Sequence, residues 1–502
     1  MKLKDIIKNI EKKRTQNFRN IEVEGIAYDS RKVRENFIFV ALKGTKQDGH
    51  NFINDAIERG AKVLIVNKKS VVLPQDVVEI VVDDTRKVLH QIASIFYQEP
   101  SKKLKVCGIT GTNGKTTTSF FIKKLLEKAG YKCGLIGTIS YQIGERVISS
   151  ENTTPECVDI QRLLNQMVEE KCQWCVMEVS SHGIDQGRIA EIHFDVAVFT
   201  NILPHEHLDY HKSFKNYLKT KLSLFTEYLV KSEKKEKCGI INLDDPNSKY
   251  FIKGLKREKI DYITYGKNPN GDVKLIEYSI KREGNYLKVK IGEEEKEFFI
   301  KLRGMGNIYN ALTTIAFSIS QKIPLEIVSE AFSEIDVVPG RFEFIEEGQP
   351  FDVIVDYAHT HHALKNLLLS VREMKPRKII VVFGCGGDRD KSKRPLMGNV
   401  AVKLADFVFL TSDNPRSEEP MKIIEDIEKG IPFYYRKKYV AIPDRRRAIK
   451  EAISLAKEGD CVVIAGKGHE TYQILKDVIV PFDDREEARK AIREIYGTGE
   501  NK

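Results

Sequence analysis

KVCGITGTNGKTTT, residues 105–118, decides the fold. An apolar run enters Gly111-Thr112-Asn113-Gly114, and Lys115-Thr116-Thr117 opens a helical pattern that continues to residue 129. A buried strand that turns through glycines into a helix makes a phosphate cradle. The glycines let backbone N–H groups face phosphate oxygens, and the helix N-terminus adds a favourable dipole. The common form, G-x-x-x-x-G-K followed by Ser or Thr, would place its first glycine at 109. That position is Ile109, and the glycines stand at 108 and 111 instead. An ordinary glycine turn is the plainer alternative, but G-K-T-T at a strand-to-helix junction would be a costly coincidence. The loop is therefore expected to bind ATP through Gly111, Thr112, Asn113, Gly114, Lys115, Thr116 and Thr117. Lys115 would reach the β- and γ-phosphates, and the Thr116 hydroxyl would ligate Mg²⁺.

Outward from this junction the chain reads as α/β. KCGLIG, WCVMEVSS and HFDVAVFTN are strand-like and alternate with helical patterns at 115–129 and 155–170, which predicts a parallel sheet covered on both faces. Before it, FIFVAL (37–42) and KVLIV (62–66) read as strands, INDAIERG (53–60) as a helix closed by Gly60, and EPSKK (99–103) as a linker. Residues 273–302 change to β-rich runs around turn signals at Gly284-Asn285 and Gly292, a hairpin insertion, with helices near 307–322 and 325–335. A second α/β series follows. DVIVDYAH, KIIVVFGCGG, DFVFLTSDNPR and CVVIAGKGHE each end in a polar or glycine-rich tail, and in open α/β sheets such tails gather ligands. Three domains result: 1–102, α/β; 103–336, a central P-loop parallel-sheet ATPase domain; and 337–502, a C-terminal Rossmann-like α/β domain.

The bulk numbers agree. At roughly 150 residues per domain, 502 residues make about three. No apolar run approaches the ~18 residues of a membrane span, and MKLKDIIKNIEKKR lacks the apolar core and cleavage site of a secretory signal. A cytoplasmic protein without membrane insertion is expected. The net charge of +10 comes from lysines scattered among glutamates, with no basic arm or aromatic-basic stripe, so nucleic acid is not an expected partner. The eight cysteines lie mostly in apolar runs. Cys172 and Cys175 form C-x-x-C without a second pair or nearby His, and read as packing.

Motifs along nearly the whole chain carry a resemblance. They are Asp29-Ser30-Arg31 with FIFVALKG, GTNGKTTT, NTTP (152–155), EVSSHG (178–183), TNILPHEHLDYH (200–211) and YLKTKLSLF (217–225). VPGRFE (338–343), VDYAHT (355–360), GCGGDRDKSKRP (384–395), DNPR (413–416) and GKGHE (466–470) follow in order. Together they resemble the Mur ligases and their folylpolyglutamate synthase relatives, above all those Mur ligases that add the third amino acid to the cell-wall precursor. The resemblance implies an ATP-dependent ligase of peptidoglycan synthesis that adds meso-diaminopimelate to UDP-N-acetylmuramoyl-L-alanyl-D-glutamate. ATP would phosphorylate the D-glutamate side-chain carboxylate, and the incoming amine would displace phosphate from the acyl phosphate.

Site residues follow by resemblance. Lys115, Glu178, His207 and Lys221 would be catalytic. Mg²⁺ would be held by Thr116, Glu178, His207 and Lys221, the last carbamylated by CO₂ so that its charge inverts and it offers an oxygen. His205, His207 and His211 do not make a usual structural-zinc set. Asn310, Arg341 and Asp356 would reach the nucleotide, although Gly306 replaces the family's aromatic and His361 its proline. Ser30 would contact the uridine-sugar part. Asn152, Thr153, Thr154, Ser180, Gln186 and Arg188 would hold the peptidyl end, although Thr153-Thr154-Pro155-Glu156 also reads as a helix start. Arg389, Asp413, Asn414, Arg416, Gly466 and Glu470 would hold the amino acid. Arg416 presents a planar fork to the carboxylate that lysine lacks. A monomer is expected. Alternatives are the lysine-adding ligase, a folate ligase or the next Mur ligase, and, in another class, an ATP-binding cell-wall regulator without ligase chemistry.

Overall fold

The computed structural model describes residues 1–11, 13–44, 47–69 and 73–497. The chain divides into two compact units, Met1–Ile263 and Thr264–Lys502. That division falls inside the segment expected to span 103–336.

The first unit holds two sheets. Near the N-terminus, Gly25–Ala27, Phe37–Val40, Ala61–Val66 and Val78–Val81 run parallel, with Arg14–Gln16 antiparallel at the edge. The helix Thr85–Phe96, capped by the Asp84 carboxylate, buries Val88, Leu89, Ile92 and Ala93 against this sheet. The second sheet is built around Lys105–Thr110. Trp174–Glu178 and then Cys133–Ile136 lie on one side, and Val196–Phe199 and then Cys238–Asn242 on the other, all parallel. Two antiparallel strands, Ser140–Ile143 and Arg146–Ser149, finish one edge. From its first strand the chain winds one way to Cys133–Ile136 and Trp174–Glu178, then crosses to Val196–Phe199. The winding reverses at Lys105–Thr110, the place where such sheets bind ligands beyond their carboxyl ends.

The stretch expected to be a linker is ordered instead. Pro100–Lys103 is a helical turn with Pro100 in its first position, where a missing N–H costs nothing. Buried Ser101 accepts a hydrogen bond from the His193 amide at 3.2 Å. The helix expected over 155–170 spans Cys157–Glu169, and its N-cap is Glu156, so neither threonine of NTTP caps it. Cys157 and Val158 join the core beneath the N-terminal sheet.

The second unit carries Val273–Lys281, Gly284–Ile291 and Glu294–Ile300 as an antiparallel meander, then the helices Met305–Ser320 and Leu325–Ser333. The first turn falls at Arg282-Glu283, two residues before the expected Gly284-Asn285. Asn285 is fully buried, and its amide donates to the carbonyls of Leu302 and Gly304 at 3.0 and 3.1 Å. A residue type common in turns here ties the meander to the next helix. A six-stranded sheet follows, in the order Glu343–Phe344, Asp352–Asp356, Cys461–Ala465, Ile379–Phe383, Phe407–Leu410, Tyr439–Ala441, parallel except for the first. All four runs singled out in sequence are strands of this sheet, so their polar tails emerge at one end. All eight cysteines are free thiols. Cys175 is fully buried and Cys172 nearly so, and burial pushes both thiols up, consistent with packing.

Candidate active site

In the first unit the phosphate loop is held from the side by Thr200-Asn201, the tail of the neighbouring strand. The Thr200 hydroxyl donates to the Asn113 carbonyl at 2.6 Å, the Thr112 amide to the Asn201 carbonyl at 2.8 Å, and the Asn113 amide to Asn201 Oδ1 at 3.0 Å. Gly111 has φ +156°, and a Cβ there would lie 1.8 Å from the Thr200 hydroxyl. This close approach explains the glycine. Gly114, at φ +86°, turns the chain into the helix Lys115–Lys128. Thr117 lies buried in the first turn of that helix. Thr112 Oγ1 lies 3.0 Å from the Tyr217 hydroxyl.

Glu178, 1% exposed at the end of its strand, gathers the hydroxyls around it. Thr116 Oγ1 donates to its Oε2 at 2.9 Å, Thr138 Oγ1 to Oε2 at 3.0 Å, and the Thr138 amide to Oε1 at 2.8 Å. Thr138 also lies 3.0 Å from Thr153 Oγ1, linking the predicted metal group to the predicted peptide group. Sequence reasoning missed Thr138. Its signal was a hydroxyl directly after KCGLIG, at a carboxyl strand end like that of Glu178.

Two lysines converge on one carbonyl. Lys115 Nζ donates to Gly111 O at 2.9 Å and to Thr112 O at 2.9 Å, and Lys221 Nζ donates to the same Gly111 O at 2.9 Å. Lys221 is 1% exposed, with its Nζ 5.0 Å from the centre of the Tyr217 ring. Burial, and next the adjacent Lys115 cation, hold the Lys221 amine well below its ordinary range. His207 belongs to a ring cluster with His182 at 5.3 Å and Tyr217 at 5.6 Å, and His182 also lies 5.7 Å from His211. Burial lowers the imidazoles of His182 and His211. His205 is exposed, and among the described residues no group of three His, Cys, Asp or Glu is arranged to hold a metal.

The residues assigned to the peptidyl end lie beside Glu178. Buried Thr154 donates to the Glu178 carbonyl at 2.9 Å and accepts from the Ser180 amide at 2.9 Å. Ser180 caps Ser181–Asp185. Gln186 and Arg188 pair with each other, and Arg188 also donates to the Thr154 carbonyl at 2.7 Å. Asn152 is exposed, and its carbonyl accepts from the Tyr141 hydroxyl. Ser30 is buried in the turn Ser30–Lys32. The Lys32–Glu151 ion pair at 3.7 Å and the Tyr28–Asp159 hydrogen bond at 2.9 Å draw this turn towards the peptide group.

In the second unit Asp356 ends its strand and accepts from the amides of Phe342 and Ala358, both at 2.8 Å. Burial pushes its carboxyl up against the opposing pull of Arg341. Arg341 stacks 4.6 Å from the Tyr357 ring. Gly340, at φ +65°, brings this loop against GKGHE, because a Cβ there would lie 2.0 Å from the His469 amide nitrogen. Asn310 is buried on the helix Met305–Ser320 and donates to Asn307 Oδ1 at 3.0 Å. At Gly306 a Cβ would meet nothing within 4 Å. His361 occupies the first position of a helix capped by Thr360, where proline also fits.

The amino-acid loops meet at the same end of the sheet. Asn414 Nδ2 donates to Glu470 Oε2 at 2.8 Å, and Asp413 Oδ1 accepts from the Asn414 amide at 2.6 Å. Gly466 approaches Asp413 so closely that a Cβ would lie 2.8 Å from its Oδ2. Arg416, half-buried, donates to the Gly387 carbonyl at 2.9 Å, and Arg389 is exposed on the adjoining loop. Sequence reasoning overlooked Lys467. It is fully buried and donates to Glu470 Oε2 at 2.9 Å and to Asn414 Oδ1 at 3.2 Å. Beneath them the buried Arg445–Asp484 pair, at 2.6 and 2.7 Å, also donates from Arg445 to the carbonyls of Ser412 and Ala465 at 3.2 and 3.0 Å. Glu418 binds buried Arg394 and the Asp388 amide, and Arg394 above all draws its carboxyl down to about 2.

Three sequence families match in order: "Mur ligase family, catalytic domain" at 22–97, "Mur ligase middle domain" at 109–318, and "Mur ligase, glutamate ligase domain" at 340–468. The UDP-N-acetylmuramoyl-L-alanyl-D-glutamate–2,6-diaminopimelate ligase of Clostridium botulinum is 44% identical over 478 residues, covering 94% of this chain and 96% of that protein. The ligase of the same name from Alkaliphilus oremlandii is 42% identical over 493 residues, 98% of this chain and 99% of that one. A solved structure of a ligase of this name superposes with TM-score 0.66 at 32% identity, over 95% of this chain and 96% of that one. The MurF ligase of Thermotoga maritima, solved with ADP, shares the fold with TM-score 0.63 at 19% identity, over 95% and 97%. The carbonyl that two lysines share, the carboxylate ringed by hydroxyls and the loops at the sheet ends lie on a chain that matches these proteins along nearly its full length; it belongs to the Mur ligase family.

Proposed function

We propose that this chain joins meso-diaminopimelate to the D-glutamate side-chain carboxyl of UDP-N-acetylmuramoyl-L-alanyl-D-glutamate, converting ATP to ADP and phosphate in peptidoglycan precursor synthesis. The names of full-length relatives support the substrates. The observation that carries the chemistry is the convergence of Lys115 and Lys221 on the Gly111 carbonyl, beside the Thr116–Glu178 pair.

Two anions, the γ-phosphate and the substrate carboxylate, must approach each other, so positive charge has to be waiting. Lys115 supplies it from the loop. The oxygens of Thr116 and Glu178 suit Mg²⁺, which with His207 and a Lys221 carbamate would hold the ion, and the ion when bound neutralises phosphate charge. Lys221 is placed to be carbamylated, because only an uncharged amine attacks CO₂ and its surroundings disfavour the ammonium. The amine adds to CO₂, forming an N–C bond and releasing one proton. The γ-phosphoryl group then passes to the carboxylate and ADP leaves. The diaminopimelate amine attacks the acyl carbon, phosphate departs with the C–O electron pair, and the amine proton is lost.

Functionally we assign 1–102 to the nucleotide-sugar, 103–336 to ATP and 337–502 to the amino acid, with Asn310, Arg341 and Asp356 reaching the nucleotide. Ser30, with Asn152, Thr153, Thr154, Ser180, Gln186 and Arg188, addresses the UDP-linked dipeptide. Arg389, Asp413, Asn414, Arg416, Gly466 and Glu470 receive diaminopimelate. We take the chain to act as a cytoplasmic monomer. Among the described residues no helix is long and apolar enough to cross a membrane. The test is ADP release with each co-substrate omitted in turn and an amino-acid panel. ADP is expected with joined product only when all three substrates are present. Equal rates with lysine and diaminopimelate would overturn the amino-acid assignment, and ADP without product would overturn the reaction.

A further inference from the structure

Immediately after GKGHE the chain forms a two-stranded hairpin, Tyr472–Leu475 and Val478–Pro481, that joins none of the three larger sheets. Its first strand lies along DNPR. Gln473 Nε2 donates to the Asp413 carbonyl at 2.6 Å, and the Ile474 amide donates to Asn414 Oδ1 at 3.0 Å. The Arg416 amide donates to the Ile474 carbonyl at 3.1 Å, and the Lys476 amide donates to the Arg416 carbonyl at 2.8 Å. Arg416 and Leu475 thus form an isolated parallel bridge.

Two features show that this contact does more than fill space. Arg416 has φ +52°, a left-handed conformation that is uncommon for a residue other than glycine. The bonds on both sides of its backbone come from the hairpin. Gln473 is the second feature. It is 7% exposed in a strand whose neighbours Tyr472 and Leu475 face solvent. A buried amide in so small a sheet is costly unless it is bonded, and its donor is spent on the main chain of DNPR. The backbone of Arg416 is therefore held by residues some 60 positions later in the chain, while its guanidinium donates to the Gly387 carbonyl at 2.9 Å.

We infer that the hairpin, through Gln473, is the positioning element for amino-acid specificity. It holds Arg416 in its left-handed turn so that the fork faces a second carboxylate on the incoming diamino acid. Gln473 touches no substrate and acts through Arg416. The inference rests on the assignment of DNPR to the amino acid made above.

The experiment compares Gln473→Met, which keeps the volume and removes the donor, with Arg416→Ala in the complete ligase assay. Gln473→Met is expected to raise the diaminopimelate KM about tenfold and to narrow the preference over lysine, with kcat and the ATP KM within about twofold. An unchanged diaminopimelate KM in Gln473→Met, with a raised one in Arg416→Ala, would overturn the inference and leave the DNPR assignment standing. If neither variant moves that KM, the assignment itself falls. Equal rises in both KM values would mark Gln473 as merely structural and overturn the inference. The unsubstituted protein gives a check independent of refolding: hydrogen exchange at the Arg416 and Lys476 amides should be slow relative to exposed loops. Fast exchange at both would also overturn it.

Discussion

Around residues 110–116 two lysine nitrogens crowd one main-chain atom, the Gly111 oxygen, at 2.9 Å each. Around residues 413–416 the arrangement is reversed, because side chains of opposite character are already paired. Asn414 and Lys467 hold Glu470, and Arg416 is tied to Gly387. In the first region burial, and next the adjacent Lys115 cation, hold the Lys221 amine well below its ordinary range. In the second, Asn414, Lys467, Glu470 and Arg416 each have a hydrogen-bond partner within the loops. Under the proposed function, reactivity belongs to the first stretch and selectivity to the second.

The largest expected effect breaks the first region. Lys115→Ala should lower kcat/KM about 10³-fold in coupled ADP release, because a fixed cation in a water-poor site is worth far more than one in solution. Lys221→Ala should cost about 10²-fold, with partial recovery in added short carboxylic acids, since their oxygens replace the carbamate. Stripping CO₂ from the unsubstituted enzyme should lower turnover reversibly, and unaltered rates in both experiments would remove Lys221 from the chemistry. Arg416→Ala sharpens the second region. The diaminopimelate KM should rise by about 10²-fold while the ATP KM stays within about twofold, measured by steady-state titration of each substrate.

Much of this was legible beforehand, for identifiable reasons. The phosphate loop announces itself because backbone geometry demands glycine at particular spacings, and spacing is visible in sequence. The four strands of the C-terminal sheet show as apolar runs because both of their faces are buried. What stayed hidden depends on partners remote in the chain. Thr138, Lys467 and Gln473 look like ordinary polar residues until Glu178, Asn414 and Asp413 are brought beside them. The misplaced turn teaches the same lesson, since Asn285 is committed to Leu302 and Gly304 instead of to local chain reversal. Pro100 signalled a break and is instead the first residue of a helical turn.

The smallest expected effect concerns a departure from the family pattern. Gly306→Phe places a ring where nothing stands within 4 Å of the Cβ position. Losing a helical glycine should stabilise the chain by about 0.5 kcal/mol, or ~1–2 °C in Tm by calorimetry. A fall in Tm would mean that the neighbourhood cannot admit the ring.

The Arg445 guanidinium grips the carbonyls of Ser412 and Ala465, which extend from strands lying on either side of Ile379–Phe383. One planar group therefore staples two non-adjacent strand ends into a common foundation, locked from below by Asp484. Retooling such an enzyme for another building block need not disturb that foundation. New selectivity can be written into the loops and hairpin mounted on it, while the masonry underneath stays as it was.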